Sequence, residues 1–362
     1  MKHRIETLLE EEDATVPTTK SIALQIKRCI SRITVQMKGL NSTHIPTAHP
    51  ARMVSKIEVV DGSYVLYSLS GIEVQAQDYY DEGKMPTEAL MYINDVYAIA
   101  TYNLNFGRFL WDEERALDPS KFSNLQLKIT HNKALGGSLP DGGKLSAFAY
   151  VFDNETIHPA GYLRHVEVYD WTLAPSAWQG IDLPVDHPIR RLTVQSLHPG
   201  KQAWENVNRI TINQNGGEAK AVDNMRTSDI IKLYYPGLED SEKINVYDID
   251  AETTIYCTMT QWNSVVGNGL NANEVTLFSD ESYGGAFDAT AGAAGAVQFI
   301  ALGQVPHGAI AIPFGDQTDI SDWYLMDGVE HLRLEVTAGA AAVGTAQVIV
   351  QQDCLYSTIP RR

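Results

Sequence analysis

The residues able to do chemistry are thinly spread. Gly267-Asn-Gly269-Leu-Asn-Ala272 touches the glycine pattern of a dinucleotide loop, but no helical pattern follows it and the flanking residues read as strand. There is no Gly-x-Ser-x-Gly elbow and no phosphate loop of the Gly-Lys-Ser/Thr kind. The ten histidines never stand four apart on a helix with a glutamate. His44 and His49 lie in a proline-rich loop, and His158 and His165 flank a turn, where surface positions are expected. Trp111 beside Asp112 to Glu114, and Asp322 beside Trp323, are the pairings that could line a sugar site with acid and base carboxylates. Asp248 and Asp250 could face a calcium ion, although Asp-x-Asp alone is nonspecific. Cys29, Cys257 and Cys354 are far apart, with neither metal nor redox spacing, and fit folding in a reducing cytoplasm. The reading is therefore of a chain with no catalytic, cofactor-binding or metal residues, whose function lies in shape and surface.

The elements that would have to position such residues are mostly strands. The stretch from Phe106 to Asn132 carries a Phe-Gly turn, an acidic segment and then Leu125-Gln-Leu-Lys-Ile-Thr130, whose alternation is that of a half-buried strand. It is echoed by Pro313-Phe-Gly-Asp316 leading to His331-Leu-Arg-Leu-Glu-Val-Thr337. Ile30-Ser-Arg-Ile-Thr-Val-Gln-Met37 matches Ile189-Arg-Arg-Leu-Thr-Val-Gln-Ser196, and Lys56 to Gly62 matches Arg209 to Gly216. Each half then ends in a further strand, Leu145–Phe152 and Ala346–Gln351. Three echoes in one order imply internal duplication. Two β-domains with roughly eight strands each and a mixture of short turns and long crossings imply an all-β chain of sandwiches on a Greek-key or jelly-roll plan.

The expected layout is an N-terminal extension over residues 1–29, a first roll over 30–174, a proline-bearing linker over 175–188, a second roll over 189–357 and a tail over 358–362. Ile5, Leu8 and Leu9 allow a marginal amphipathic helix over residues 2–12. Residues 72–76 read as strand, and residues 86–100 are the best helix candidate of the first half. The second half holds extra length, an insertion at about 238–306. Within it, the small-residue run Gly284–Ala296 is expected to be loop, because it can bury little apolar area.

The net charge of −17 over 362 residues disfavours nucleic-acid binding through phosphates, including any sequence-specific contact. The basic exceptions are Lys20 to Lys38 and the pair Arg361 and Arg362. No apolar run is long enough to span a membrane as a helix, and a signal peptide is not expected.

Phe106-Gly-Arg-Phe with Leu117-Asp-Pro-Ser-Lys-Phe-Ser-Asn-Leu-Gln-Leu-Lys-Ile-Thr-His131, and Ile189-Arg-Arg-Leu192 opening the second roll, resemble the double jelly-roll major capsid proteins of tailless icosahedral viruses, a lineage running from adenoviruses to membrane-containing bacteriophages. The resemblance covers about residues 30–357. It implies two tandem eight-stranded jelly rolls in one chain with long inserted loops facing outward, no enzymatic activity, and a homotrimer that tiles a shell as a pseudo-hexagon. It also implies neighbouring capsid trimers and penton or minor capsid proteins as partners, and a place in the virion after assembly in the host cytoplasm. Residues 1–28 would lie on the inner face, where the basic patch could meet an internal membrane. The alternative reading is a two-domain β-sandwich that binds or hydrolyses carbohydrate.

Overall fold

The computed structural model describes residues 2–85, 87–153, 157–249, 251–269, 275–278, 284–291 and 295–358. The first part of the chain forms β1 (His3–Asp13), β2 (Thr18–Ala23), β3 (Ile30–Leu40), β4 (Val54–Asp61), β5 (Tyr64–Leu69), α1 (Gly71–Glu82), β6 (Leu90–Tyr92), β7 (Tyr97–Asn105), β8 (Leu125–His131) and β9 (Gly142–Phe152). The second forms β10 (Gly161–Thr172), β11 (Trp178–Leu183), β12 (Ile189–Gln195), α2 (Ala203–Asn206), β13 (Val207–Gln214), β14 (Ala219–Arg226) and α3 (Thr227–Tyr234). The inserted region follows as β15 (Asp240–Tyr247), β16 (Thr253–Tyr256), β17 (Met259–Gly269), β18 (Val275–Phe278), β19 (Ala286–Ala291) and β20 (Ala296–Pro306). The chain closes with β21 (Ala309–Pro313), β22 (Leu332–Ala338) and β23 (Thr345–Leu355).

Strand order shows the duplication directly. In the first roll β1-β9-β3-β7 faces β2-β8-β4-β5, and in the second β10-β23-β12-β21 faces β11-β22-β13-β14. Every strand of one roll has its counterpart at the same place in the other. The three echoes fall on β3 and β12, β4 and β13, and β8 and β22. β8 and β22 also share an identical in-and-out burial pattern, with Leu125, Leu127 and Ile129 matching Leu332, Leu334 and Val336 inside. A slip of one residue would turn each set to solvent, so the alternation sets the register.

Each core lies between its two sheets. Ile33, Val35 and Ala149 meet Ile57, Val59 and Leu127 in the first, while Leu192, Val194 and Ile312 meet Ile210, Leu334 and Val336 in the second. The Phe-Gly echo is a shared turn. Phe106 donates its N–H to Ser31 O and Phe314 to Arg190 O, and a Cβ on Gly107 or Gly315 would strike the backbone oxygen of Arg115 or Asp322.

The pairing corrects several expectations. Residues 1–29 are not an extension preceding the roll: β1 pairs with β9 and β2 with β8, as β10 does with β23 and β11 with β22. By pairing, the rolls therefore run from β1 to β9 and from β10 to β23, and the expected linker contains β11. Residues 3–13 are strand, not helix. Extension removes Glu10–Asp13 from an unfavourable helix C-terminus and sets Glu11 beside Lys38 and Glu12 beside Lys20. Those pairs, with Arg32 buried against Glu82, engage Lys20, Arg32 and Lys38 of the basic stretch. Residues 72–76 lie in α1. The helix expected over 86–100 is instead β6 and β7, separated by a turn with Asp95 in the left-handed region at φ 57.

The insertion is not a loop tower but a small sandwich of its own. β17-β20-β15-β6 packs on β16-β19-β18, with Ile244, Val246 and Phe299 meeting Ile255, Phe287 and Ala289. Ala286–Ala291, expected as loop, is β19. Ala289 shares its core with Phe287 and Phe299, whose rings meet edge-on at 5.1 Å. The first roll lends β6 to this sandwich through a parallel pairing with β15.

Leu127→Ala and Leu334→Ala, at matched positions with 0% exposure, should each cost about 2–5 kcal/mol in denaturant unfolding. A loss under about 1 kcal/mol at either site would mean that its roll does not close around that residue. Deletion of residues 1–19 should abolish soluble folded protein, because it strips β1 from β9; full solubility and an unchanged melting temperature would contradict the assignment of β1.

Candidate functional site

Polar chemistry concentrates where the two rolls meet. α1 begins at Ser70, whose N–H donates to Glu73 Oε2 at 2.6 Å, and ends on Gly83 at φ +74. Unlike a surface helix it is covered almost all round, and Glu73, Gln75, Gln77 and Asp78 are buried with its apolar residues. From the first roll, Arg32 reaches Glu82 and donates to Asn105 Oδ1 at 2.6 Å, while Asn103 and Asn105 donate to Asp78 at 3.0 and 2.9 Å. From the second, Arg190 and Arg191 of β12 both pair with Asp81 Oδ1, at 2.7 and 2.9 Å. Gln77 donates to Thr193 Oγ1 at 3.0 Å and accepts from Arg191 at 3.1 Å. Arg32 and Arg191 hold the same place in the repeated Ile-x-Arg motif, so equivalent arginines of the two rolls grip one helix.

Beneath the helix the sheets are continuous, β5 pairing in parallel with β10 through Tyr67–His165 and Ser68–Val166. Burial alone would raise the Asp81 carboxyl, but Arg191 and Arg190 outweigh it and hold the group well below the usual carboxylate range. Asp78 goes the other way: burial, only partly countered by Arg32, lifts it to about 7. Burial also drops His165, stacked on Tyr67, to about 3.

A second polar cluster joins the first roll to the inserted sandwich. Thr258 Oγ1 lies 3.0 Å from His49 Nε2, 3.0 Å from Glu88 Oε1 and 2.7 Å from Glu242 Oε2. Gln75 of α1 donates to Glu88 Oε2 at 2.9 Å, and its Oε1 lies 2.7 Å from His307 Nε2. The donor atoms of His49, Glu88 and Glu242 fall within 4.8 Å of one another, the spacing of a metal site. The imidazole does not suit one. Its Nδ1 accepts the Ala51 N–H at 3.1 Å, so the neutral ring carries its proton on Nε2 and has no lone pair to offer there.

The residues singled out from sequence are mostly spent on the fold. Trp111 stacks on His3 at 4.0 Å, and Asp112 accepts the Arg108 backbone and guanidinium at 3.1 and 2.7 Å. Asp322 accepts the Asp316 N–H at 2.7 Å, while Trp323 donates to Asp316 O at 3.0 Å under the Arg190 guanidinium. Neither carboxylate–aromatic pair is set out as a sugar subsite. His49 and His165 are buried, against the surface expectation, and His44 and His158 are not. Gly267–Gly269 lies in β17 rather than at a helix start, and residues 270–272, Asp250, Arg361 and Arg362 lie outside the described residues. Asp248 follows β15, its N–H donating to Gly295 O at 3.0 Å. All three cysteines are free thiols, and burial raises Cys29 to about 11 and Cys354 to about 12. Among the described residues no helix is long and apolar enough to cross a membrane.

Sequence reading missed α1 and everything attached to it. The available signal was the capping box Ser70-Gly-Ile-Glu73. Asp81→Asn leaves two buried guanidiniums short of a countercharge and should cost about 3–5 kcal/mol near neutral pH. The depressed Asp81 carboxyl contributes stability above the ordinary aspartate range, and that contribution is lost as acid protonates it. The wild-type advantage over the variant should therefore shrink as pH falls; a pH-independent gap would reject the ion-pair account.

No protein-family model and no curated protein matches the sequence. Solved structures do. The major capsid protein of bacteriophage PM2 superposes with a TM-score of 0.57 at 12% identity, covering 99% of this chain and all of that one. The Sulfolobus Turreted Icosahedral Virus structure gives 0.58 at 12% identity over 99% and 94% of the two chains. The PBCV-1 virus capsid gives 0.59 at 10% identity over 97% and 93%. The match runs end to end through both rolls and the insertion. The chain has the double jelly-roll fold of these viral capsid structures.

Proposed function

We propose that this chain is a major capsid protein, a homotrimeric, pseudo-hexagonal building block of an icosahedral shell. The observation that carries the reading is the full-length structural match to capsid proteins, insertion included, together with strict duplication of the roll. Two like lobes per subunit become six around a threefold axis, which lets one gene product tile a closed surface. The role is structural rather than enzymatic, and the carboxylate–aromatic pairs that could line a sugar site are engaged in contacts of the fold.

Trimer contacts need apolar area to overcome the like charge of each subunit. The loops at 42–47 and 135–139 supply some. They are tied by Thr47 N–H to Gly137 O at 2.8 Å and leave Ile45, Leu135 and Leu139 about half exposed. Neighbouring trimers and penton or minor capsid proteins are the further partners in this reading, the virion is the location, and assembly takes place in the host cytoplasm.

Sedimentation of the purified protein at micromolar concentration should give about 120 kDa, three chains of 40.0 kDa, with hexagonal outlines by electron microscopy. A folded monomer that never associates would reject the proposal.

A further inference from the structure

We infer that Glu88 and Glu242, held on Thr258 beside His49, share one proton that latches the inserted sandwich to the first roll, so that this seam loosens in alkali. The inference concerns the folded subunit and does not rest on a shell-forming role. Four parts of the chain converge here: the approach to β4 (His49), the approach to β6 (Glu88), β15 (Glu242) and the link from β16 to β17 (Thr258).

A hydroxyl has one proton to give and two lone pairs to receive with. His49 Nδ1 is taken by the Ala51 N–H at 3.1 Å, so Nε2–H donates to Thr258 Oγ1 and fills one lone pair. Thr258 can then donate to only one of the two carboxylates beside it, Glu242 Oε2 at 2.7 Å or Glu88 Oε1 at 3.0 Å. The other carboxyl has to bring its own proton to the remaining lone pair. Glu242 is the one held as an anion, since its Oε1 already accepts the Thr258 and Met259 N–H groups at 2.9 and 3.4 Å. Glu88 is the proton carrier, its Oε2 accepting from Gln75 at 2.9 Å. Every contact is satisfied with one proton between the carboxylates. Without it, two buried anions face the same oxygen.

The surroundings offer no replacement charge. Among the described residues neither glutamate has a Lys or Arg within ion-pair distance. Arg52 acts on His49 and His307, pushing both further from protonation after burial has done most of that work. Asp240 adds negative charge near Glu242, and Tyr92, Tyr102, Tyr256 and Cys257 are the other titratable groups around the site. Lys84 and Lys243 stand on the solvent side, lining a cleft of about 450 Å³ that reaches both glutamates. Burial, then Glu242, raises Glu88 to about 8, and burial raises Glu242 to about 7.

A carboxyl raised from 4.5 to about 8 keeps its proton in the folded state after the unfolded chain has lost it. Its contribution is complete below the ordinary value and is lost as pH rises through the folded one. The histidines oppose this in acid: His49, lowered from 6.5 to about 3, stays neutral while the unfolded chain takes up a proton. Above the histidine range the alkaline loss is unopposed.

Glu88→Gln tests the latch, because an amide N–H can donate permanently to Thr258. From about pH 6.5 to about pH 8, wild-type melting temperature should fall by roughly 1–2 °C per unit. E88Q should fall less steeply and be the more stable protein at high pH. Equal slopes, or a uniformly lower melting temperature for E88Q, would overturn the inference. So would calcium at millimolar concentration raising the wild-type value but not that of E88Q, which would put a cation where the proton is assigned. The wild-type protein alone gives a second readout: its infrared spectrum should carry a protonated-carboxyl band at neutral pH that disappears in alkali. A neutral-pH spectrum with no such band would overturn the inference even if E88Q fails to fold.

Discussion

Two buried ion-pair centres set the rolls against each other, Arg115 with Asp353 and Asp81 with two arginines of β12, and the second rests on a single carboxylate. Asp81 is 2% exposed at its side chain and is shared by Arg190 and Arg191, at 3% and 1%. A buried ion pair is rarely a net gain over well-packed apolar residues, because desolvation offsets the attraction. What it does supply is position. An arginine displaced from Asp81 by a slip of α1 would be left charged and unpaired in the interior. The direct sheet connection, two residue pairs between β5 and β10, is too short to resist such a slip unaided. The helix and its countercharges convert that short junction into a fixed angle between lobes.

Duplication explains how one helix comes to serve both rolls. α1 and α3 follow equivalent strands, and they meet through Tyr80 and Tyr235, whose rings lie 4.7 Å apart. Only the first copy is polar enough to be gripped from both sides. β12 has changed to match: all seven of its residues are buried, because Arg191, Thr193 and Gln195, on the face away from the core, lie under α1 and its neighbours. The equivalent face of β3 stays half exposed at Thr34, Gln36 and Lys38. Two copies of one strand have thus taken different environments, and the inserted sandwich, which borrows β6 from the other roll, adds a third tie between the halves.

This divergence also marks where sequence reasoning runs out. The strands that bury one face and wet the other were legible, since alternation at β8 and β22 states the register and the repeat states the order. β1 and β2 were not. Their edge positions leave most side chains in water, so there was no apolar alternation, and Leu8 and Leu9 suited a helix equally well. α1 was hidden for the opposite reason: beside Val74, Ala76 and Tyr79 it buries Gln75, Gln77, Asp78 and the Asp81 side chain, polar groups that imply solvent until their partners are known. The Glu88–Glu242–Thr258 cluster had no local signal, because its members come from segments brought together only by the folded insertion.

The free edges of the sheets bear on how such a chain stays discrete at high concentration. An open edge strand is a template for another chain. β1 meets this risk with two register breaks against β9 and an acidic end, Glu10 to Asp13. β14 meets it with breaks against β13 and with Lys220, Asp223 and Arg226 exposed along it. Such edges pair poorly with copies of themselves, and the overall charge of −17 adds a long-range repulsion. In the trimer proposed above, association would then rest on side-chain contacts between loops rather than on backbone pairing, which would run on as a filament. Contacts of that kind depend on shape, can close on themselves about an axis, and leave the hydrogen-bonded framework of each roll untouched.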